Sequence, residues 1–275
     1  MGAAPATIEG LLRDSGLPRP EAEVLLRSAL DCERIRLVTR AQEPVDPSKS
    51  RLAHDWFARR RAGEPVAYIT GKREFYGVAL RVSSAVLIPR PETEQLVERA
   101  LERLRPVSSA RVLELGTGSG AIAIALAVRQ PSLKILATDV SGAALGLAKR
   151  NAREHRVAID FVLSDWFGAI GPDRFDLVVS NPPYVASGDP HLGRGDLPYE
   201  PRLALVGGAD GLACIRAIAA GARGRLRPGG SLLLEHGYDQ GESCVALLRD
   251  LGYREVGDFP DLAGLPRVSA AVWHG

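Results

Sequence analysis

From residue 111 onward, short apolar runs rich in Val, Ile and Leu alternate with longer runs of helical spacing. RVLEL, KILATD, AIDFV, FDLVVS and SLLLEH read as strands, and AIAIALAVRQ, GAALGLAKRNAREH and LACIRAIAAGARGRL read as helices between them. Short strands joined by single helices predict a parallel, doubly wound sheet. After the last of these strands come a helix, QGESCVALLRDLG, and then YREVGDF and RVSAAVW with no helix between them. Those two strands are therefore expected to pair antiparallel at one edge.

A Rossmann-like sheet with that ending suits a class I methyltransferase fold better than a dehydrogenase. What precedes it is different in kind. IEGLLRDSGL, EAEVLLRSAL and SRLAHDWFARRRAG carry apolar residues at helical spacing, separated by proline-containing breaks at 18–20 and 44–47. They predict a small helical bundle over residues 1–70. VAYITGKREFYGVALRVSSAVLI is rich in β-branched and aromatic residues, with Gly71 and Gly77 as bends, and predicts a hairpin-like connector ending near residue 90. The α/β domain then spans 91–275. It opens on the helix PRPETEQLVERALERL, with Pro91 near the first turn and Glu92 and Glu94 at the positive end of its dipole.

Charge and cysteine usage narrow the class. Residues 1–80 hold 13 Lys and Arg against 11 Asp and Glu, and residues 81–275 hold 22 of each, so neither part is a basic nucleic-acid domain. The run Arg59-Arg60-Arg61 reads as a solvated helix end. Cys32, Cys214 and Cys244 are scattered without metal spacing and read as reduced, buried thiols of a cytoplasmic protein. The longest apolar stretch, AIAIALAV, is far short of the ~20 residues a membrane span needs. The N-terminus shows no signal-peptide pattern. Nothing signals oligomerisation, so a monomer is the default.

LELGTGSGAIA at 113–123 is a strand, a glycine turn and a helix. Gly116, Gly118 and Gly120, with Thr117 and Ser119 between them, let the backbone pack tightly and leave room for a ligand at the helix N-terminus. Asp139, at the tip of the next strand, can accept both hydroxyls of a ribose. NAD and S-adenosylmethionine enzymes share that device, and at this point the choice stays open. Glu114 would favour a cationic amino group and repel a pyrophosphate. In SDWFG, the Trp166 indole can lie against an adenine while Asp165 accepts its amino group.

SNPPY at 180–184 decides between the two cofactors. The nitrogen of an amide or aromatic amine has a delocalised lone pair and is a poor nucleophile. A site can hold its two N–H bonds with two acceptors, here the side-chain carbonyl of Asn181 and the backbone carbonyl of Pro182, and make it more pyramidal. Pro182 and Pro183 stiffen the loop and remove competing donors. Tyr184 can stack on the planar group. This is positioning and electrostatic preorganisation, with no metal and no covalent intermediate.

Together SNPPY, ELGTGSG, TD at 138–139, SDWFG and LIPRPETE resemble the protein-glutamine N5-methyltransferases that modify peptide-chain release factors (the PrmC/HemK family). REFYG, DPHL, EPRLALVGGADGL and LLLEHGYDQGE extend the resemblance over nearly the whole chain. NPPY alone is shared with adenine-N6 methyltransferases, which leaves a nucleic-acid enzyme as the alternative. The resemblance implies S-adenosyl-L-methionine as cofactor, held by Gly116 to Gly120, Asp139, Trp166 and Asn181, with S-adenosyl-L-homocysteine as product. It implies that the NPPY loop holds the glutamine of the Gly-Gly-Gln motif of class I release factors. The helical domain and Arg90, Glu92 and Glu94 would grip the rest of that partner, although helix capping accounts equally well for both glutamates. His191 and His236 show no obvious carboxylate partner and read as structural.

Overall fold

In a computed structural model, residues 6–105 and 109–275 are described, and they divide into two compact units. The first runs to Lys72 and also takes in Arg194–Tyr199; the second holds Arg73–Gly193 and Glu200–Gly275. The sequence reading places 194–199 with the second domain. The structure instead lends that segment to the first unit, where Asp196 pairs with Arg60 at 3.3 Å and the Tyr199 hydroxyl donates to Ala62 O at 2.5 Å.

The first unit contains helices α1 (Ile8–Asp14), α2 (Arg19–Leu30), α3 (Arg34–Thr39), α4 (Pro47–Arg61) and α5 (Val66–Thr70). Local chemistry sets their ends. Thr7 accepts from Gly10 N at the start of α1, and Asp46 accepts from Ser48 N and Lys49 N at the start of α4, with Pro47 in the first turn. Leu11, Leu25, Leu26, Leu37 and Phe57 are each at most 2% exposed and form the core. The arginine run is not a free solvated end. Arg59 pairs with Glu64, Arg60 with Glu21, and Arg61 donates to Ser15 O. A further correction concerns VAYIT. It is helix α5 rather than strand, because Pro65 at its N-cap and Gly71 in the left-handed region at its C-cap (φ +70°) outweigh weak β propensity.

From Arg73 on, the second unit begins within a hairpin, β1 (Lys72–Phe75) and β2 (Val78–Arg81). Tyr76 and Gly77 both have positive φ in the turn, which suits the twist of a two-stranded ribbon. Then follow α6 (Thr93–Leu104), β3 (Arg111–Leu115), α7 (Ala121–Arg129), β4 (Lys134–Asp139), α8 (Gly142–Glu154), β5 (Asp160–Leu163) and β6 (Phe175–Ser180). The chain finishes with α9 (Arg202–Leu205), α10 (Ala213–Ala222), β7 (Leu226–Glu235), α11 (Gly241–Asp250), β8 (Arg254–Pro260) and β9 (Pro266–Trp273). The sheet order is β5-β4-β3-β6-β7-β9-β8. The first five strands pair in parallel; β9 runs antiparallel to both β7 and β8, as the missing helix between the last two strands requires.

Burial follows the period of a strand. Val112, Leu177, Val179 and Leu233 pack into one cluster with α6 and α7. Leu113, Leu115, Val178, Leu232 and Leu234 pack into a second with α10 and α11. Alternate side chains thus feed opposite faces, and helices cover both. The parallel register aligns Leu115 with Thr138 and Ser180, and Asp139 with Leu163. The loops leaving β3, β4, β5 and β6 therefore emerge at one end of the sheet. The order reverses between β3 and β6, and in open α/β sheets that switch point is where ligands bind.

Candidate active site

A cavity of about 390 Å3 opens at that switch point, within the range of small-molecule sites. Gly116, Thr117, Gly118, Ser119, Asp139, Trp166, Asn181 and Pro183 line it, together with Glu114 and Asp165. The three glycines divide the work. A Cβ on Gly118 would meet nothing within 4 Å, and at φ +55° the position also favours glycine, so the backbone there lies open to a ligand. Gly120 is outside the lining. Its Cβ would meet Ile124 Cδ1 at 2.9 Å and Ala148 Cβ at 3.2 Å, so glycine here allows the close packing of α7 on α8.

Asp139 is oriented by backbone amides. Its Oδ2 accepts from Gly118 N at 2.9 Å and its Oδ1 from Ser141 N at 2.8 Å, which leaves lone pairs of both oxygens for a ligand's hydroxyls. Glu114 is 1% exposed. Its Oε2 accepts from the Thr117 hydroxyl at 2.6 Å and from Ala123 N at 3.2 Å, whereas Oε1 has no partner among the described residues. Burial raises this carboxyl to about 8, against the pull of those two donors. An orphaned carboxylate oxygen at a cavity wall fits a cationic group. Trp166 holds φ +43°, unusual for a bulky residue, in a turn fixed by Ser164, whose hydroxyl donates to Trp166 O and accepts from Ala169 N.

The NPPY loop is clamped on its backbone. Val185 N donates to Leu205 O and Gly207 N to Val185 O, both at 2.9 Å. A side chain on Gly207 would strike Pro183 O, and one on Gly211 would strike Tyr184 O, which explains the glycines of VGGADG. Asn181 Nδ2 donates to Thr93 Oγ1 at 3.0 Å, so its Oδ1 carbonyl is the end left for a ligand's N–H. Pro182 is buried, and neither it nor Tyr184 lines the cavity. The Tyr184 ring packs against the second core cluster, and its hydroxyl faces Glu235 Oε1 at 3.3 Å. Burial, then the Glu235 charge, push that phenol's pKa up.

Several expectations need correction. Arg90 is half-buried and already paired, at 2.5 Å, with the buried Glu200, whose other oxygen accepts from Ile88 N. Glu94 accepts from Tyr76 N at 2.9 Å, and Glu92 is the exposed N-cap of α6, which starts only at Thr93. Both histidines have carboxylates beside them. His191 Nδ1 lies 2.7 Å from Asp189 through a local turn, and His236 Nε2 lies 3.1 Å from Asp258, brought there by sheet pairing. Neither lines the cavity. Of the cysteines only Cys244 is buried; Cys214 is partly exposed on the cavity wall. Sequence reasoning also missed Val86, Thr93, Leu203 and Val206 on that wall. Only the family-like strings LIPRPETE and PRLALV hinted at some of them. Among the described residues, no three His, Cys, Asp or Glu cluster as a metal site, and no helix is long and apolar enough to cross a membrane.

Residues 93–193 match the family model of the methyltransferase small domain, and residues 6–71 match that of the PrmC N-terminal domain. A release factor glutamine methyltransferase of Bordetella pertussis is 48% identical over 263 residues, 95% of this chain and 97% of that protein. One of Burkholderia pseudomallei is 48% identical over 279 residues, 99% of this chain and 98% of that protein. Among solved structures, a ribosomal protein L11 methylase of Lactobacillus delbrueckii subsp. bulgaricus superposes with a TM-score of 0.52 at 20% identity. That match covers 71% of this chain and 86% of the other, and at such identity it speaks for the fold alone.

Proposed function

The chain belongs to the release factor glutamine methyltransferase family, and we propose that it methylates the side-chain amide nitrogen of the Gly-Gly-Gln glutamine in class I release factors. One observation carries this reading: Asn181 lines the cavity with Asp139 and Glu114, and its NH2 group is taken by Thr93, which leaves its carbonyl to accept from a ligand. A carbonyl acceptor suits the N–H of a carboxamide. A glutamine between glycines can enter a narrow pocket because no neighbouring side chain obstructs it. The balanced charge of residues 1–80 suits a protein partner better than a phosphate backbone, which favours the glutamine reading over the adenine one.

When bound, S-adenosylmethionine supplies a sulfonium methyl: a new N–C bond forms as C–S breaks, leaving S-adenosylhomocysteine and a proton from the nitrogen. The chain's own residues do the rest. Asp139 would hold the ribose hydroxyls, Trp166 and Asp165 the adenine, and Glu114 the ammonium. Gly116 to Ser119 give the backbone room. The Asn181 carbonyl would hold a target N–H bond, while the buried Pro182, Pro183 and the clamped backbone keep the loop rigid, so little reorganisation remains at transfer. Tyr184 supports the loop from the core side. No metal is required by this chemistry, and the cytoplasm is where release factors would meet it. The test is a direct competition: purified protein with labelled S-adenosylmethionine should label an intact class I release factor and leave duplex DNA unlabelled. The reverse pattern would refute the reading.

Glu114 adds a pH signature. Its raised pKa means that the unliganded protein carries a neutral carboxyl below about 8. An ammonium at Oε1 favours the ionised form, so binding releases a proton and affinity rises with pH toward about 8, above which loss of the ligand's own ammonium proton opposes the rise. The same shift costs stability: the unfolded carboxyl ionises near 4.5, so stability falls as pH rises from there to about 8. Calorimetry of cofactor binding at neutral pH, in two buffers of different ionisation enthalpy, should show release of up to about one proton, abolished in Glu114→Gln. Equal enthalpies in both buffers would contradict the assignment.

A further inference from the structure

Part of the cavity lining is apolar, and a buried charge holds it together. Val86, Leu87 and Pro89, from the segment between β2 and α6, and Pro201, Leu203 and Val206, in and around α9, present only apolar side chains to the cavity. Glu200 joins the two segments. Its Oε1 accepts from Ile88 N at 3.0 Å and its Oε2 from the Arg90 guanidinium at 2.5 Å, and the residue is only 4% exposed. Pro89 lies between the two donors and Pro201 follows the acceptor, so the chain is stiff on both sides of the joint.

An ion pair between two side chains alone would leave both main chains free to shift. Here the carboxylate also takes a backbone amide, which fixes the main chain at 88 against the start of α9. Two further ties complete a ring. Val185 N donates to Leu205 O and Gly207 N to Val185 O, which joins α9 to the NPPY loop. Asn181 Nδ2 donates to Thr93 Oγ1, which joins that loop back to α6. Residues 86–93, 181–185 and 200–207 thus form a closed frame, and all three segments line the cavity. Opening one link of a closed frame changes its width, although no residue of that link touches a ligand.

We propose that Glu200 is a positioning residue: through Ile88 and Arg90 it sets the width of the apolar part of the cavity, and so admits a slim, unbranched side chain such as that of glutamine. This rests on the functional reading given above. The two methylenes of a glutamine stem make no hydrogen bonds, so only apolar contact can hold them. Such contact is sensitive to spacing: a gap of about 0.5–1 Å forfeits a quarter to a half of it. Leu203, 64% exposed, is the open member of this lining, and an entering side chain would cover it.

The test compares methylation of an intact release factor by wild type, Leu203→Ser, Glu200→Gln and the double variant Arg90→Met/Glu200→Met. Cofactor Kd is measured separately by calorimetry, and thermal melting alongside. Glutamine at 200 keeps an acceptor for Ile88 N but turns an NH2 group toward Arg90. The double variant removes both charges together, so no unpaired charge stays buried and the fold survives. Each variant should lower kcat/KM for the release factor about tenfold, the scale of two methylenes losing apolar contact, while the cofactor Kd stays within about twofold. The double variant separates positioning from stability: it should melt close to wild type and still show the loss. Wild-type kcat/KM in the double variant would reduce the pair to a structural role and overturn the proposal, as would its failure to fold. Wild-type kcat/KM in Leu203→Ser, or a loss of cofactor affinity as large as the loss of kcat/KM, would overturn it too. A wild-type protein that leaves the release factor unlabelled would instead sink the functional reading on which the proposal rests.

Discussion

Replacing Asn181 by alanine should cut methyl transfer by about 10²–10³ in kcat while leaving the fold nearly as stable as wild type. The barrier cost is on the order of 2.7–4 kcal/mol, by analogy with removal of one oxyanion-hole donor, because the lost carbonyl acts mainly on the developing transition state. The structural cost is smaller. Asn181 contributes one half-buried hydrogen bond, to Thr93, and such a bond contributes about 1 kcal/mol to stability. Turnover of a release factor and thermal melting with cofactor present separate the two effects. Normal methylation by the variant would remove Asn181 from the chemistry.

Asp139→Ala should weaken S-adenosylmethionine binding by at least about a hundredfold. Hydrogen bonds to a charged group contribute about 1.5–3 kcal/mol each, and this carboxylate has lone pairs for two ribose hydroxyls. It also anchors Gly118 N and Ser141 N, so the alanine variant loosens the glycine turn as well. Asp139→Asn separates the contributions. It keeps the size and one acceptor, and its affinity should fall between those of alanine and wild type. Undiminished affinity in Asp139→Ala, measured by calorimetry, would withdraw the ribose assignment.

The sheet was legible because its signals are local. Alternating strand and helix periods specify parallel pairing, and the absence of a helix between YREVGDF and RVSAAVW specifies the antiparallel end. The cavity was partly legible for a related reason: parallel register carries every strand's C-terminal end to one edge, so motifs that close successive strands must meet there. What escaped depends on distant partners. Arg90 gave no hint of Glu200, 110 positions on, nor His236 of Asp258. Thr93 and Glu235 are unremarkable as letters and gain meaning only where α6 and β7 bring them to Asn181 and Tyr184. Composition misled at VAYIT, where caps decided the conformation, and the packing need for glycine at 120 showed only in the contacts with Ile124 and Ala148.

The central claim is that the cavity methylates one carboxamide nitrogen presented on a protein. The most direct measurement is mass spectrometry of an intact class I release factor after incubation with the purified protein and S-adenosylmethionine. The account predicts a single added methyl on the side-chain nitrogen of the Gly-Gly-Gln glutamine, none on a Gln→Ala factor, and poorer modification of a short Gly-Gly-Gln peptide. A methyl on any other residue, or an unmodified factor in the presence of bound cofactor, would contradict it.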